Sequence, residues 1–342
     1  MVALLSLVVC LSFFSAALGR VIVKRQDEVE ISATLLNKLE LVSQYAAASY
    51  CPDNYDSNKG TKLRCATGNC PLVERSDTRI VYAFNGGVSD TSGFVAIDQT
   101  NALVVVSFRG SESYRNYASD INIPLVLTDV CTGCLSGAGW WLAWREVRDS
   151  IAEAVRWSIE MYPDLLVVAT GHSLGGAVAT LAAAELRDRG FMTDLVSYGA
   201  PRIGNEAISN YITKQPRDFG RNYRVVHQGD PIPGLPHNIF GYRHIGPEYY
   251  ILSDNENRPS PDDVVRRPND EDGEGILGTN LIDGFAAHDF YFSKLPVCYD
   301  GGIFIPLRAV MEGLDVDATA SPLEEAVAAA AEGSDAGLDI LA

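Results

Sequence analysis

The chain is expected to fold as a single α/β domain around a central, mostly parallel sheet with helices on both faces. Three observations predict this. Apolar strand-like runs alternate with helical patterns through the middle of the chain. One run, at 165–172, passes through glycines straight into an alanine-rich helical pattern ending at 186. The composition, 47% hydrophobic and 21% charged over 342 residues, supports a sizeable core.

In chain order, "MVALLSLVVCLSFFSAALG" at 1–19 has the apolar core and small-residue end of a secretory signal peptide, although its start lacks Lys and Arg. The alternative, a membrane anchor, is disfavoured because the run is short for a span. Lys24 and Arg25 form a basic pair that marks 20–25 as a propeptide, so the mature chain is expected to begin at Gln26. Residues 26–298 make the main domain and 299–342 an acidic extension.

Apolar residues at helical spacing over 31–49 predict an opening helix. Segments 79–85, 93–99 and 102–110 read as strands closed by turn residues. Residues 139–163 read as a long helix stopped at Pro163. After the strand and helix of 165–186, "DLVSYGAP", "NYRVVHQGD" and "EYYIL" read as later strands. The acidic "NDEDGEG" at 269–275 reads as a solvated loop, and no internal repeat is visible.

The net charge of −17 excludes nucleic acid as a partner, because phosphate binding needs surplus Lys and Arg. It also excludes simple electrostatic attraction to anionic membranes. The extension contributes nine acidic residues against one arginine. Cys10 would leave with the signal peptide. Six cysteines remain, at 51, 65, 70, 131, 134 and 298, an even set that suggests three disulfides in an exported protein, with the pairing open. "CTGC" at 131–134 reads as a local disulfide, since no thioredoxin-like pattern surrounds it. No Cys or His group has zinc spacing, so neither a metal nor another cofactor is expected. There is no Asn-x-Ser/Thr sequon.

Gly171-His172-Ser173-Leu174-Gly175 fits G-x-S-x-G between a buried strand and a helix. Glycines without Cβ allow the sharp turn, and the serine is presented at the carboxyl edge of the sheet. The helix that follows directs its N-terminal amides at the same spot, where negative charge can develop. A serine hydroxyl needs a base, and in this architecture an acid and then a histidine follow it in the chain. Asp230, at a strand end in "GDPIPGLP", is the acid candidate. His172 adjoins the serine, and His227 precedes that acid. His237 lies only seven residues beyond Asp230, a short path back to Ser173. His288, in "GFAAHDFYF", has a long excursion before it and aromatic residues after it to anchor its loop. Asp230 as a plain turn residue and His288 as a surface histidine remain open on the residues alone. An oxyanion hole would use the amide of Leu174 and a donor from the loop after 102–110, where Ser111 offers both amide and hydroxyl. Arg109 beside it reads as a structural ion-pair partner.

Together "QYAAASYC", "SFRGS", "GHSLGGA", "YGAPRIGN", "GDPIPGLP", "GYRHIGPEYYI" and the histidine before the last cysteine resemble the filamentous-fungal class 3 lipases, with fungal feruloyl esterases as relatives. The resemblance runs over 32–298. It implies an α/β-hydrolase type fold with Ser173 as nucleophile, Asp230 as orienting acid and His288 as base. It further implies Ser111 and Leu174 as the oxyanion hole, and the pairings Cys51–Cys298, Cys65–Cys70 and Cys131–Cys134. Such lipases carry a short helical lid. The matching segment is "SESYRNYASDINIPLVL", in which Tyr114, Tyr117, Ala118 and Ile121 share one helical face and Arg115, Asn116, Ser119 and Asp120 the other. The apolar face has no Trp, Leu or Phe, which is weak for a lipid binder and keeps an esterase of soluble or aromatic esters in play.

The expected activity is therefore that of a secreted serine hydrolase of triacylglycerols, working on lipid at an oil–water interface without a stable membrane span. The alternatives are a feruloyl-type esterase, a phospholipase or galactolipase, or a non-catalytic lipid-binding protein on the same scaffold. In the extension, Ser321, Pro322, Glu324 and Gly333 signal a helix. It reads either as a flexible appendage or as a segment docked beside the lid.

Overall fold

The computed structural model describes residues 29–111, 123–254, 257–268 and 281–298, with backbone alone at 281–283. The segments read as signal peptide (1–19) and propeptide (20–25), the acidic stretch at 269–275, residues 299–342, and Tyr114, Tyr117, Ala118 and Ile121 lie outside the described residues.

The strands are β1 (Val29–Glu30), β2 (Thr78–Phe84), β3 (Gly93–Asp98), β4 (Leu103–Phe108), β5 (Leu125–Leu127), β6 (Leu135–Gly137), β7 (Leu166–His172), β8 (Thr193–Tyr198), β9 (Asn222–His227), β10 (Glu248–Ile251), β11 (Val264–Arg267), β12 (Phe290–Tyr291) and β13 (Ser293–Lys294). The helices are α1 (Ala33–Ala48), α2 (Pro52–Tyr55), α3 (Pro71–Arg75), α4 (Ala138–Met161), α5 (Leu174–Asp188), α6 (Glu206–Lys214) and α7 (Leu281–Asp289). Nine strands form one sheet in the order β1-β11-β10-β9-β8-β7-β4-β3-β2.

The five central strands, β4, β7, β8, β9 and β10, are parallel, as the alternation of strands and helices implies. Both flanks are antiparallel, so the sheet is mixed. The cause on the β2–β3–β4 side is local. Only 99–102 separate β3 from β4, too few for a crossover. Asp98 closes that turn by accepting from the amides of Thr100 (2.8 Å) and Asn101 (3.0 Å).

Two cores flank the sheet. On one face, α1 packs Leu36, Leu39, Val42 and Tyr45 against buried strand residues such as Val105, Val168 and Val196. The Ser32 hydroxyl caps α1 by accepting from the Leu35 amide at 3.2 Å. On the other face, α4 contributes Trp140, Trp141 and Trp144, and α5 contributes Ala177, Val178 and Leu181. The indole N–H groups of Trp140 and Trp144 donate to the Ile203 carbonyl and to the Glu185 carboxylate, both at 2.6 Å, so neither ring is buried with an unmet donor. Helix α4 ends at Met161, two residues before Pro163, because a proline biases its predecessor away from helix. Among the described residues the cysteines are paired Cys51–Cys298, Cys65–Cys70 and Cys131–Cys134. Among the described residues, no helix is long and apolar enough to cross a membrane.

Candidate active site

Strand β7 delivers Ser173 to the carboxyl edge of the sheet, where the next residue opens α5. Ser173 sits at φ 57°, ψ −130°, a region that non-glycine residues seldom adopt. The turn is possible only with small neighbours. A Cβ on Gly171 would lie 2.3 Å from the Gly175 carbonyl oxygen, and one on Gly175 would lie 2.3 Å from that of Phe108. The two glycines that the sequence motif singles out are thus the points where α5 presses on β7 and β4. The amide of Ser173 donates to the Tyr198 carbonyl at 2.9 Å, which ties the turn to β8.

His288, at the end of α7, and Asp230, just beyond β9, meet beside this turn. The His288 Nδ1 lies 3.0 and 2.9 Å from the two carboxylate oxygens of Asp230. A proton on Nδ1 donated to the carboxylate leaves the Nε2 lone pair of the neutral ring available as a base. Residues Ser173, Asp230 and His288 are all buried, at 1%, 2% and 0% exposure. Gly199, which follows the partner of Ser173 in β8, has φ +55°, and a Cβ there would come within 2.8 Å of Asp230 Oδ2 and 3.0 Å of His288 Nδ1. The strand therefore approaches the pair only as glycine.

Asp230 is held by two further donors. The Ile232 amide donates to Oδ1 at 2.9 Å, and the Tyr291 hydroxyl donates to Oδ2 at 2.5 Å. The same hydroxyl accepts from the His227 amide at 3.1 Å. Burial and the Asp230 charge push the Tyr291 hydroxyl well above its ordinary pKa, so it stays a donor. Tyr291→Phe is expected to lower kcat roughly tenfold, the scale of one lost charge-assisted hydrogen bond. Steady-state kinetics with thermal melting as a control measures it, and unchanged kcat would show that Asp230 needs no such support.

His172 has its own place. Its ring lies 4.4 Å from that of His288, and its Nε2 is 2.8 Å from the His288 carbonyl oxygen. A carbonyl only accepts, so Nε2 carries the proton and Nδ1 accepts from the Tyr50 hydroxyl at 2.8 Å. Burial first, then the adjacent His288, hold His172 well below its usual pKa. His172 is thereby held neutral beside the His288 ring.

The two amide-bearing candidates flank Ser173. Leu174 is the first residue of α5, where a helical N–H has no partner within the helix. Half-buried Ser111 follows β4 through Gly110. A Cβ on Gly110 would lie 2.7 Å from the His172 carbonyl oxygen, so the loop to Ser111 runs against the turn. The other histidines are engaged elsewhere. His237 is exposed and accepts from the Ile239 amide at 3.2 Å. His244 is bonded to the Pro233 carbonyl at 2.6 Å, and His227 to that of Gln228 at 2.9 Å. The side chains of Tyr291, Tyr50 and His172 and the space at Gly199 were not singled out as site features from the sequence. The aromatic run after His288 was the one local signal for Tyr291.

Among the described residues, the Sγ atoms of Cys51, Cys65 and Cys298 lie within 4.8 Å of one another. All three are in disulfides and offer no thiolate to a metal. What the assembled groups can do is acyl transfer: a serine at a helix N-terminus, a histidine oriented by a carboxylate, and amides able to hold an oxyanion.

Residues 105–240 match the lipase (class 3) family, and residues 7–82 match the lipase 3 N-terminal region. The chain is 40% identical over 294 residues to the secreted mono- and diacylglycerol lipase A of Penicillium cyclopium, spanning 83% of this chain and 95% of that one. The crystal structure of a mutant form of MDLA from Penicillium cyclopium superposes with a TM-score of 0.74 at 39% identity, over 79% of this chain and all (100%) of that one. A triacylglycerol lipase whose catalytic centre is described as a serine protease triad superposes with a TM-score of 0.66 at 27% identity, over 79% and 99% of the two chains.

Proposed function

Since the chain belongs to the class 3 lipase family and is a carboxylic ester hydrolase, we propose that it is a secreted acylglycerol lipase working through Ser173, His288 and Asp230. The carrying observation is the Asp230–His288 pair packed against the strained turn of Ser173. Ser173 Oγ attacks the ester carbonyl as His288 Nε2 takes its proton. Asp230 holds the ring and stabilises its charged form. The amides of Leu174 and Ser111, with the Ser111 hydroxyl, receive the negative oxygen. The tetrahedral intermediate collapses, His288 returns the proton to the departing glyceride oxygen, and an acyl-serine remains. Water, deprotonated by His288, then releases the fatty acid and restores Ser173. No step calls on a metal or cofactor.

Partial glycerides are the proposed first substrates, because the relative at 40% identity is named for them and the triacylglycerol lipase stands at 27%. The leader at 1–19, the basic pair at Lys24 and Arg25, and the three disulfides support export. The face of Tyr114, Tyr117, Ala118 and Ile121 is the proposed lid. The chain re-enters the described structure from it at β5, where Leu127 is exposed, and Leu125 lies 3.7 Å from a Cβ built on Gly241, next to exposed Phe240 and near exposed Ile239. These apolar surfaces favour lipid over a soluble ester.

Initial rates for a diglyceride, a triglyceride and methyl ferulate, each followed through its solubility limit beside a Ser173→Ala control, test the proposal. The rate on the diglyceride is expected to rise once an oil phase appears and to exceed both others. A plain hyperbola with methyl ferulate fastest would overturn it in favour of a soluble esterase. Absence of a covalent adduct at Ser173 with an organophosphonate would point instead to a non-catalytic lipid binder.

A further inference from the structure

Arg109 stands two residues before Ser111, with its carbonyl against the nucleophile turn and its amide and side chain both held by the β2–β3 connection. Its carbonyl side presses on the nucleophile turn: a Cβ on Gly175 would lie 2.8 Å from the Arg109 carbonyl oxygen. The backbone amide donates to the Ser92 carbonyl at 2.9 Å. The guanidinium is almost wholly buried and reaches the loop between β2 and β3. There one terminal nitrogen donates to the Asp90 carboxylate at 2.9 Å and to the Asp90 carbonyl at 3.3 Å. The other donates to the Tyr55 hydroxyl at 3.3 Å, with the guanidinium carbon 5.1 Å from the centre of the Tyr55 ring.

The loop that Arg109 grips is itself anchored. The Glu146 carboxylate of α4 accepts from the amides of Val88 (2.8 Å) and Ser89 (3.1 Å). It fills the space beside Gly87, where a Cβ would fall 1.8 Å from a Glu146 oxygen. Asp90 holds φ 48°, the left-handed region that Asp and Asn tolerate better than other side chains. A continuous chain of contacts thus runs from α4 through the 85–92 loop and Arg109 to the strand end carrying Ser111. Arginine suits this place because its planar fork can hold two directions at once, which a lysine ammonium does not.

We propose that Arg109 is a positioning residue that, through Asp90, fixes the distance between the two oxyanion donors at Ser111 and Leu174. This rests on the assignment of Ser111 and Leu174 in the proposed function. The 85–92 loop acts on the chemical step without touching substrate. The effect falls on the transition state alone, because donor spacing matters where the negative oxygen forms and little where the neutral ester binds.

Arg109→Lys, Asp90→Asn, their combination and Ser111→Ala, all in the full mature chain, test it. The readouts are kcat and KM on one ester, affinity for an alkyl boronate that forms a tetrahedral adduct on Ser173, and melting temperature. Asp90→Asn is expected to lower kcat roughly tenfold at unchanged KM and to weaken the boronate by a similar factor. Arg109→Lys should cost at least as much, and the double variant little more than Arg109→Lys alone, since the two act as one unit. A lowered melting temperature with kcat and boronate affinity intact would reduce the pair to a structural ion pair and overturn the proposal. Asp90 has an exposed side chain, and asparagine accepts its backbone angle, so that variant keeps the test alive should Arg109→Lys fail to fold. Ser111→Ala separates the two layers. Loss there with none in Asp90→Asn sinks the positioning role alone. No loss of kcat or boronate affinity in Ser111→Ala removes the hydroxyl from the oxyanion hole and leaves the residue-111 amide, which alanine keeps, as the donor whose placement Asp90→Asn tests.

Discussion

Asp230→Asn is expected to lower kcat by about four orders of magnitude, and Ser173→Ala by about six. On the proposed mechanism the Ser173 loss is simple, since no acyl-enzyme can form. The Asp230 loss comes from proton placement. Asparagine matches aspartate in shape, and its carbonyl oxygen can still accept from the Ile232 amide, now 2.9 Å from Oδ1. Its amide NH2 then faces the ring of His288 and the Tyr291 hydroxyl, where the carboxylate now accepts from both. To meet an NH2 donor, His288 must turn Nδ1 into an acceptor and carry its proton on Nε2. That tautomer has no lone pair directed at Ser173. The geometry survives while the base is lost, so the organophosphonate reaction of Ser173 should slow in parallel with kcat, with the melting temperature little changed. An Asp230→Asn enzyme that keeps a tenth of wild-type kcat would remove Asp230 from the orienting role and leave the Ile232 and Tyr291 contacts as loop architecture.

The elements that could be read in the sequence are those whose physics is local. Strands β4 and β7 are covered on both faces, so "LVVVSF" and "LVVATGH" read as continuous apolar runs. The Ser173 turn could be read because its steric demand falls on Gly171 and Gly175, two and two residues away. Strand β11 was missed, since "VVRR" is four residues long and ends in two arginines. It is strand only through its pairing with β10 and β1. Strands β5 and β6, three residues each around the Cys131–Cys134 disulfide, carry no period to detect. The support of the site was hidden for the same reason. Tyr291 reaches Asp230 across 61 positions and His172 reaches the His288 carbonyl across 116, distances at which no spacing rule operates. The motif fixes only the neighbour of His172, so no local pattern gives that ring a part in the site. Its ring against His288 exists only once β7 and the last turn of α7 are side by side.

Replacing both Cys51 and Cys298 by serine is expected to destabilise the protein by roughly 5 kcal/mol, against roughly 2 kcal/mol for the same change at Cys131 and Cys134. The difference follows from the loops that the bonds close. Cys51–Cys298 spans 247 positions and Cys131–Cys134 only 3, so the first removes far more freedom from the unfolded chain. For a domain of this size that corresponds to a melting temperature lower by roughly 10–20 °C. The long bond also acts on the folded site. It fastens the end of α1, through Cys51, to the segment that carries His288 and Tyr291. Between Tyr291 and Cys298 the other described anchors are the buried side chains of Phe292 and Leu295 and single hydrogen bonds, among them the Leu295 amide on the Asp289 carbonyl at 3.0 Å and the Asn69 side chain on the Lys294 and Leu295 carbonyls at 3.2 and 3.3 Å. Without the disulfide, the Asp230–His288–Tyr291 contacts should open before the sheet does, because the five parallel strands keep their covers of α1, α4 and α5. Heating the double-serine variant should therefore abolish ester hydrolysis several degrees below loss of its helical circular dichroism, while the wild type loses both together. Coincident loss in the variant would place the bond's contribution entirely in the unfolded chain, with none in the placement of His288.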